Sequence, residues 1–139
     1  MSNNMNTFAE HGHFSIDVSG RVLCAHLSGS WNSQTAERFS DEFKYKAQAL
    51  IGEPWGHLVL LDDWDLGVPE MTPIIERLVN WCIEQNLVRA AQVFSPSMIK
   101  KYQLDAMVVE KIGGFERRNF TDQSSAIAWL EAEGLSSAG

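Results

Sequence analysis

Only two of the 139 residues are cysteine, Cys24 and Cys82. Two cysteines cannot build a disulfide framework, and neither stands in a C-x-x-C spacing that would hold zinc. No run approaches the ~20 apolar residues that a membrane span needs. Cationic side chains are scarce too. Eleven Lys and Arg stand against 18 Asp and Glu, a net charge of −7 and a pI near 5.0. A nucleic-acid binder needs a basic stripe to displace phosphate counterions, so that class is excluded. Met1 to His13 lacks the basic-then-apolar order of a secretory leader, which sets the expectation of a cytoplasmic protein. Signature motifs are missing as well. There is no G-x-x-x-x-G-K-[ST], no G-x-G-x-x-G, no H-E-x-x-H and no G-x-S-x-G. Phosphate cradling, zinc proteolysis and a nucleophile elbow therefore have no support.

What is present suits one soluble domain. Apolar residues make up 45% and charged residues 21%, both ordinary for a globular chain. A chain this long buries a core without staples. Residues 1–13 lack periodicity and read as a tail. His11 and His13 flank Gly12 there, a pair that binds metal adventitiously at most. Residues 14–134 read as the domain and 135–139 as a small polar tail.

Phe14, Ile16 and Val18 alternate with polar residues, the mark of a half-buried strand. Ser19-Gly20 predicts a tight turn into a second strand, Val22 to Leu27. Cys24 and His26 lie inside that strand, Cys24 as a small hydrophobe and His26 as a structural histidine. Asn32 or Ser33 is placed to cap a helix. In that helix Ala36, Phe39, Phe43, Ala47 and Leu50 form one apolar stripe. The run His57 to Leu61 predicts a strand buried on both faces. Thr72-Pro73 predicts the next helix start, with Thr72 as its cap. Ala90 to Phe94 predicts another strand. A third helix is expected from Ser95-Pro96 to Gly113-Gly114. Phe115 to Phe120, with Glu116, Arg117 and Arg118, predicts an exposed edge strand. Thr121 or Asp122 caps a last helix bearing Ala126, Trp129 and Leu130. The order is β-β-α-β-α-β-α-β-α. It predicts a single α/β domain with about four helices. The sheet is mixed but mostly parallel, of about five strands, with an N-terminal antiparallel hairpin.

These residues resemble the STAS-like family, the branch related to sporulation anti-anti-sigma factors and described alongside lipid-transfer domains. The likeness rests on Gly29-x-Trp31 before the first helix, Leu-Val-Leu-Leu-Asp-Asp before a Trp-bearing loop, and Arg89-Ala90-Ala91-Gln92-Val93. It also rests on the closing Phe120-x(5)-Ala126-x(2)-Trp129-Leu130. It spans roughly residues 14–133. It implies a non-catalytic module that binds a protein or a small ligand. In the anti-anti-sigma factors a serine just past the central strand is phosphorylated to break partner binding. Here that stretch, Asp62 to Thr72, holds no serine. Between Leu58 and Phe94 the single hydroxyl side chain is Thr72.

Chemistry concentrates in that stretch. Asp62, Asp63, Asp65 and Glu70 lie within nine residues where the central strand meets the second helix. Ligands of open α/β sheets bind outside the carboxyl ends of strands. The acids have an ordinary reading as a helix N-terminal cap, where each carboxylate gains roughly 0.3–1 kcal/mol. A second reading is a Mg²⁺ site in an enzyme using Asp62, Asp63 and Asp65. A third is a permanently acidic docking surface, standing in for the charge a phosphoserine would bring. Trp31, Trp55 and Trp64 fall in predicted loops. Trp31 and Trp64 either lid the core or rim a crevice that Phe94 and Met98 share. Lys100 and Lys101 answer the acidic loop or form a solvated face. The site expected from the sequence is thus Trp31, Asp62, Asp63, Trp64, Asp65, Thr72 and Met98, with no cofactor and no metal. A protein partner is the leading expectation, a small apolar ligand or lipid the alternative. A homodimer through an edge strand or the tryptophan rim stays open.

Overall fold

The computed structural model describes residues 12–138. Among them lie seven strands and four helices. Two strands form the opening hairpin, β1 (Gly12–Ser19) and β2 (Val22–Trp31). Gly20 turns between them at φ +58°, a left-handed conformation that costs glycine nothing. Helix α1 (Ser33–Ala47) follows, capped by Asn32, whose side chain accepts from the Thr35 N–H at 2.9 Å. Then come β3 (Trp55–Leu60), β4 (Trp64–Gly67), a short 3-10 turn (Pro69–Met71) and α2 (Thr72–Glu84). The chain closes with β5 (Leu87–Val93), α3 (Met98–Met107), β6 (Lys111–Ile112), β7 (Phe115–Phe120) and α4 (Gln123–Ala132).

The sheet runs β1-β2-β3-β5-β7-β6, parallel inside and antiparallel at each end. The predicted hairpin, parallel centre and four helices are all present. Two strands are additional. β4 pairs parallel with the end of β2, Gly29 opposite Trp64 and Trp31 opposite Gly67. β3 and β4 are therefore one ribbon alongside β2, broken at residues 61–63. At the break the chain leaves β5, its last bond there being Leu61 N–H to Val93 O at 2.8 Å. It stays with β2 through Gly29 N–H to Asp63 O at 3.0 Å.

β6 corrects the expected third helix. That helix stops at Met107, and Gly113-Gly114 is a hairpin turn, with Gly113 at φ +57°, rather than a helix end. The paired glycines fit either role, and the β-branched Val108-Val109 before them favours extended chain. β7 is consequently not the edge strand over its first residues.

Side chains alternate across the sheet. Leu23, Ala25, Leu27, Val59, Ala90 and Phe115 face α1, α2 and α3 in the larger core. Val22, Leu58, Ala91 and Val93 meet Ala126, Trp129 and Leu130 of α4 in the smaller one. Every residue of the predicted α1 stripe, Ala36 through Leu50, is buried. Residue 67 needs to be glycine for packing: a Cβ there would lie 1.8 Å from Met71 Sδ, and Met71 is buried. Gly67→Ala is expected to cost about 1–3 kcal/mol, as overpacked cores do. The check is a lower urea midpoint at unchanged slope.

Candidate functional site

The break at residues 61–63 shapes the carboxyl end of the sheet. It opens a gap between β4 and β5, and α3 is tied across it. Gln103 fills the free edge of β4 with its own amide. It accepts from Gly67 N–H at 3.0 Å and donates to Gly67 O at 2.7 Å, as a neighbouring strand would. One turn earlier Lys100 donates to Leu61 O at 2.9 Å and Asp62 O at 3.1 Å. Lys100 thus answers the acidic segment, through its carbonyls rather than its carboxylates. Lys101 pairs along the helix with Asp105 at 2.8 Å.

The acids of that segment separate. Asp62 Oδ1 accepts from Ser95 N–H at 2.7 Å, and that bond holds its carboxyl below the usual range. Asp63 turns to the other sheet face and meets His26 Nε2 at 2.8 Å, which gives His26 the structural partner expected of it. Asp65, on β4, is exposed, as is Glu70. No group of three or more His, Cys, Asp or Glu among the described residues converges as a metal site. Thr72 is half-buried, and it does not cap α2. The 3-10 turn starting at Pro69 runs straight into the helix, so Thr72 N–H bonds Pro69 O and Met71 takes the capping place. His13 lies on β1, inside the segment expected to be a tail; His11 falls outside the described residues.

The three tryptophans placed in loops are instead in strands, and all are fully buried. Trp31 and Trp64 do come together, since their strands pair, but beneath the surface. Trp31 donates to Ser28 O at 3.0 Å and Trp55 to Gln85 O at 2.7 Å. Trp64 Nε1 has no partner. Nor has His57 Nε2, on the β3 side chain facing the same core. A buried polar group left unpaired costs about 1–3 kcal/mol. Both rings line a hollow of about 80 Å³ inside the larger core. That is about half the ~150 Å³ of a cavity that admits benzene. Burial pushes the His57 pKa down to about 4, so the ring is neutral.

The two thiols are poor nucleophiles. Burial raises the Cys24 pKa, with Asp17 adding repulsion, and burial drives Cys82 far above the ordinary range. Arg117 corrects the expectation of an exposed edge strand. It is buried, with Nη2 to Asp105 at 2.8 Å and Nη1 to Gln92 at 3.1 Å. It sits on the core side of β7, where the alternation that puts Arg118 outside puts Arg117 inside.

Met98 stands fully in solvent, at 90% exposed. Phe94 and Met98 share an open hollow of about 340 Å³ with Pro96 and Phe120, not with the tryptophans. Ile99 and Tyr102, next to Met98 on α3, are 64% and 80% exposed. Neither was expected at the site. Their signal was that they fall off the stripe of Leu104 and Met107 that buries α3.

No family profile matches the sequence, and no curated protein matches it. Solved structures do. An uncharacterized DUF3478-family protein with a SpoIIAA-like fold, from Shewanella loihica PV-4, superposes with a TM-score of 0.64 at 16% identity. The match covers 86% of this chain and 93% of that one. The chain has a SpoIIAA-like fold. An anti-sigma factor antagonist from Mycobacterium paratuberculosis matches at TM-score 0.57 and 10% identity, over 86% and 94% of the two chains. Unphosphorylated SpoIIAA, itself an anti-sigma factor antagonist, matches at 0.53 and 14%, over 88% and 100%. At such identities the SpoIIAA-like architecture is what is shared. No helix among the described residues is long and apolar enough to cross a membrane.

Proposed function

We propose that this chain is a non-catalytic STAS-like module that binds a protein partner through the carboxyl end of its sheet. The observation that supports it is the exposure of Met98, Ile99 and Tyr102 together on α3. Three large apolar side chains in one patch are unusual on a monomer and mark interaction surfaces. The hollow of Phe94, Pro96 and Phe120 adjoins Met98 and offers a pocket for an apolar anchor. The Gln103 clasp sets the other flank beside β4, where Asp65, Val68 and Glu70 are exposed. The partner that suits this surface carries an apolar anchor ringed by basic residues. Its acidic rim is aspartate and glutamate, with no serine to be switched between residues 58 and 94. The fold neighbours that are anti-sigma factor antagonists add weight to a protein-binding role.

The test is affinity capture from the native organism with quantitative mass spectrometry. Met98→Asp with Tyr102→Ala is expected to lower recovery of the specific partner at least tenfold, since central anchors are worth about 2 kcal/mol or more. Asp65→Asn is expected to weaken capture only a few-fold and to flatten its salt dependence, as rim charges do. Equal recovery by wild type and the double variant would sink the proposal. Both substitutions are at exposed positions, so unchanged unfolding midpoints confirm that folding is intact.

A further inference from the structure

Strand β1 forms one edge of the sheet. The hairpin shows which of its backbone groups face outward. The two-residue turn Gly20-Arg21 sets Ser19 opposite Val22, and residues flanking such a turn exchange both backbone bonds. Bonded and non-bonded pairs alternate along an antiparallel ladder. Ser19, Asp17, Ser15 and His13 therefore bond to β2, while Gly12, Phe14, Ile16 and Val18 turn N–H and C=O outward. Two bonds agree with this phase. Gly29, opposite Gly12, sends its N–H away from β1 to Asp63 O. Ile16 O accepts from Lys46 Nζ at 2.6 Å. Lys46 reaches it from α1, on one face, so the second lone pair of that carbonyl is left for a donor in the plane of the sheet. An edge of eight residues is an open template for another strand. The far end of the sheet is blunted, since β6 is two residues long. Residues 12–19 hold no proline, no lysine and no bulge.

We infer that this edge pairs with β1 of a second copy of the chain, antiparallel about a two-fold axis at Ser15. An axis perpendicular to the sheet keeps α1 on the same face in both copies, so even residues meet even ones and odd meet odd. Phe14 then exchanges both backbone bonds with the partner's Ile16, and Gly12 with the partner's Val18. His13 stands across from the partner's Asp17, twice by symmetry. That pair, and Ser15 opposite itself, fall between the backbone bonds, where Cα atoms approach to about 4.5 Å. His13, Ser15 and Asp17 are all exposed. Among the described residues neither His13 nor Asp17 has an ion-pair partner of its own. A carboxylate opposite an imidazole favours this register, as opposite charges across strands do. Moving the axis to Ile16 sets Asp17 against Ser15 and His13 against Ser19, and both pairs are lost. On the other face half-buried Phe14 gains cover from Ile16, continuing the larger core across the seam. The hollow beside Met98 lies at β5 and β7, toward the opposite end of the sheet, and stays open in the dimer.

Sedimentation velocity and disulfide trapping on the full chain test it. At about 100 µM, above the micromolar range of weak specific pairs, the chain is expected to sediment at twice 15.6 kDa. Ser15→Cys sets two thiols opposite one another at a Cα separation that a disulfide spans. Mild oxidation is expected to convert most of it to a covalent dimer on a non-reducing gel. His13→Cys is the control. Its two copies stand four residues apart along the seam, about 14 Å, so it stays monomeric on that gel. Wild type sets the background from Cys24 and Cys82. Asp17→Lys is expected to weaken the dimer about tenfold, since symmetry removes two cross-strand pairs. Adding His13→Asp restores it, with the charges exchanged across the seam. These positions are exposed, so unchanged unfolding midpoints show that the variants fold. A monomer at about 100 µM would overturn the inference and leave the edge to some other chain. So would Ser15→Cys oxidising to dimer no faster than His13→Cys, a dimer indifferent to Asp17→Lys, or a double variant no tighter than Asp17→Lys alone. None of these readouts involves capture of a partner by α3, so the two readings stand or fall separately.

Discussion

Trp31→Ala is expected to lower the stability of the folded chain by about 3–5 kcal/mol, the range for emptying a large aromatic site in a core. The ring is 1% exposed. It lies 5.9 Å from the Phe14 ring and 5.1 Å from Phe39. Its N–H bonds Ser28 O, so the substitution also strips a partly buried acceptor. The main chain packs directly on it, since a Cβ at Gly12 would come within 2.2 Å of the indole. A small domain holds roughly 5–15 kcal/mol in all. The loss would therefore consume at least about a fifth of that, and urea unfolding would show it as a fall in midpoint. A wild-type midpoint in the variant would refute the placement of Trp31. The result also bears on how binding is tested. Loss of a partner from a Trp31→Ala variant would report unfolding, whereas Met98 and Tyr102 probe the surface itself.

Stability is expected to fall by about 3 kcal/mol between pH 7 and pH 4 on account of His57 alone. Its pKa drops from 6.5 to about 4 on folding because the ring is buried, edge-on to Phe43 at 4.9 Å. Between those values the unfolded chain takes up a proton that the folded chain refuses. The unfolded state then binds more protons, so stability rises with pH across that window and is lost as pH falls through it. Each pKa unit is worth about 1.4 kcal/mol. Below about pH 4 the folded ring is protonated too, and the effect is complete. The carboxylates of Asp62, Asp105, Glu116 and Asp122 are all held low by hydrogen bonds. Their stabilisation is present above their unfolded values and fades in more acidic solution, so it overlaps this window only at its lower end. Urea unfolding at pH 7 and pH 4.5 checks the slope. In His57→Leu the difference should shrink by most of that amount; an undiminished difference would show that another group carries it.

Much of the architecture was legible because it is written in periodicity. The stripe from Ala36 to Leu50 and the alternation of β1 each bury as their spacing demands. The caps at Asn32 and Asp122 were visible because a short polar side chain before an apolar stripe has one good use there. What escaped was set by partners distant in the chain. Trp64-Asp65-Leu66-Gly67 is too short to show alternation, and Leu66 sits at φ +77°. It is a strand because β2 runs on past Leu27, and because Gln103, 36 residues away, closes its far edge. Once β4 is paired, Trp64 has nowhere to go but inward, and the expected tryptophan rim vanishes with it. The acid cluster came apart for a similar reason: consecutive residues at a strand break point in different directions, one to Ser95 and the next to His26. Met98 does lie at the surface, since an exposed helix start needs no distant partner to be recognised. Neither orphan ring nitrogen, on His57 or on Trp64, had any trace in the sequence, since being unpaired is a property of surroundings alone.

The clasp between Gln103 and Gly67 joins a helix to a ribbon through two bonds of a single amide. Lifting α3 would strand both backbone groups of one residue at once, with no intermediate tilt that keeps half the bonding intact. The helix that presents Met98 and Tyr102 is thereby a latch rather than a flap. A partner gripping it also takes hold of the wall that closes the central hollow, so events outside and inside the molecule share one mechanical element.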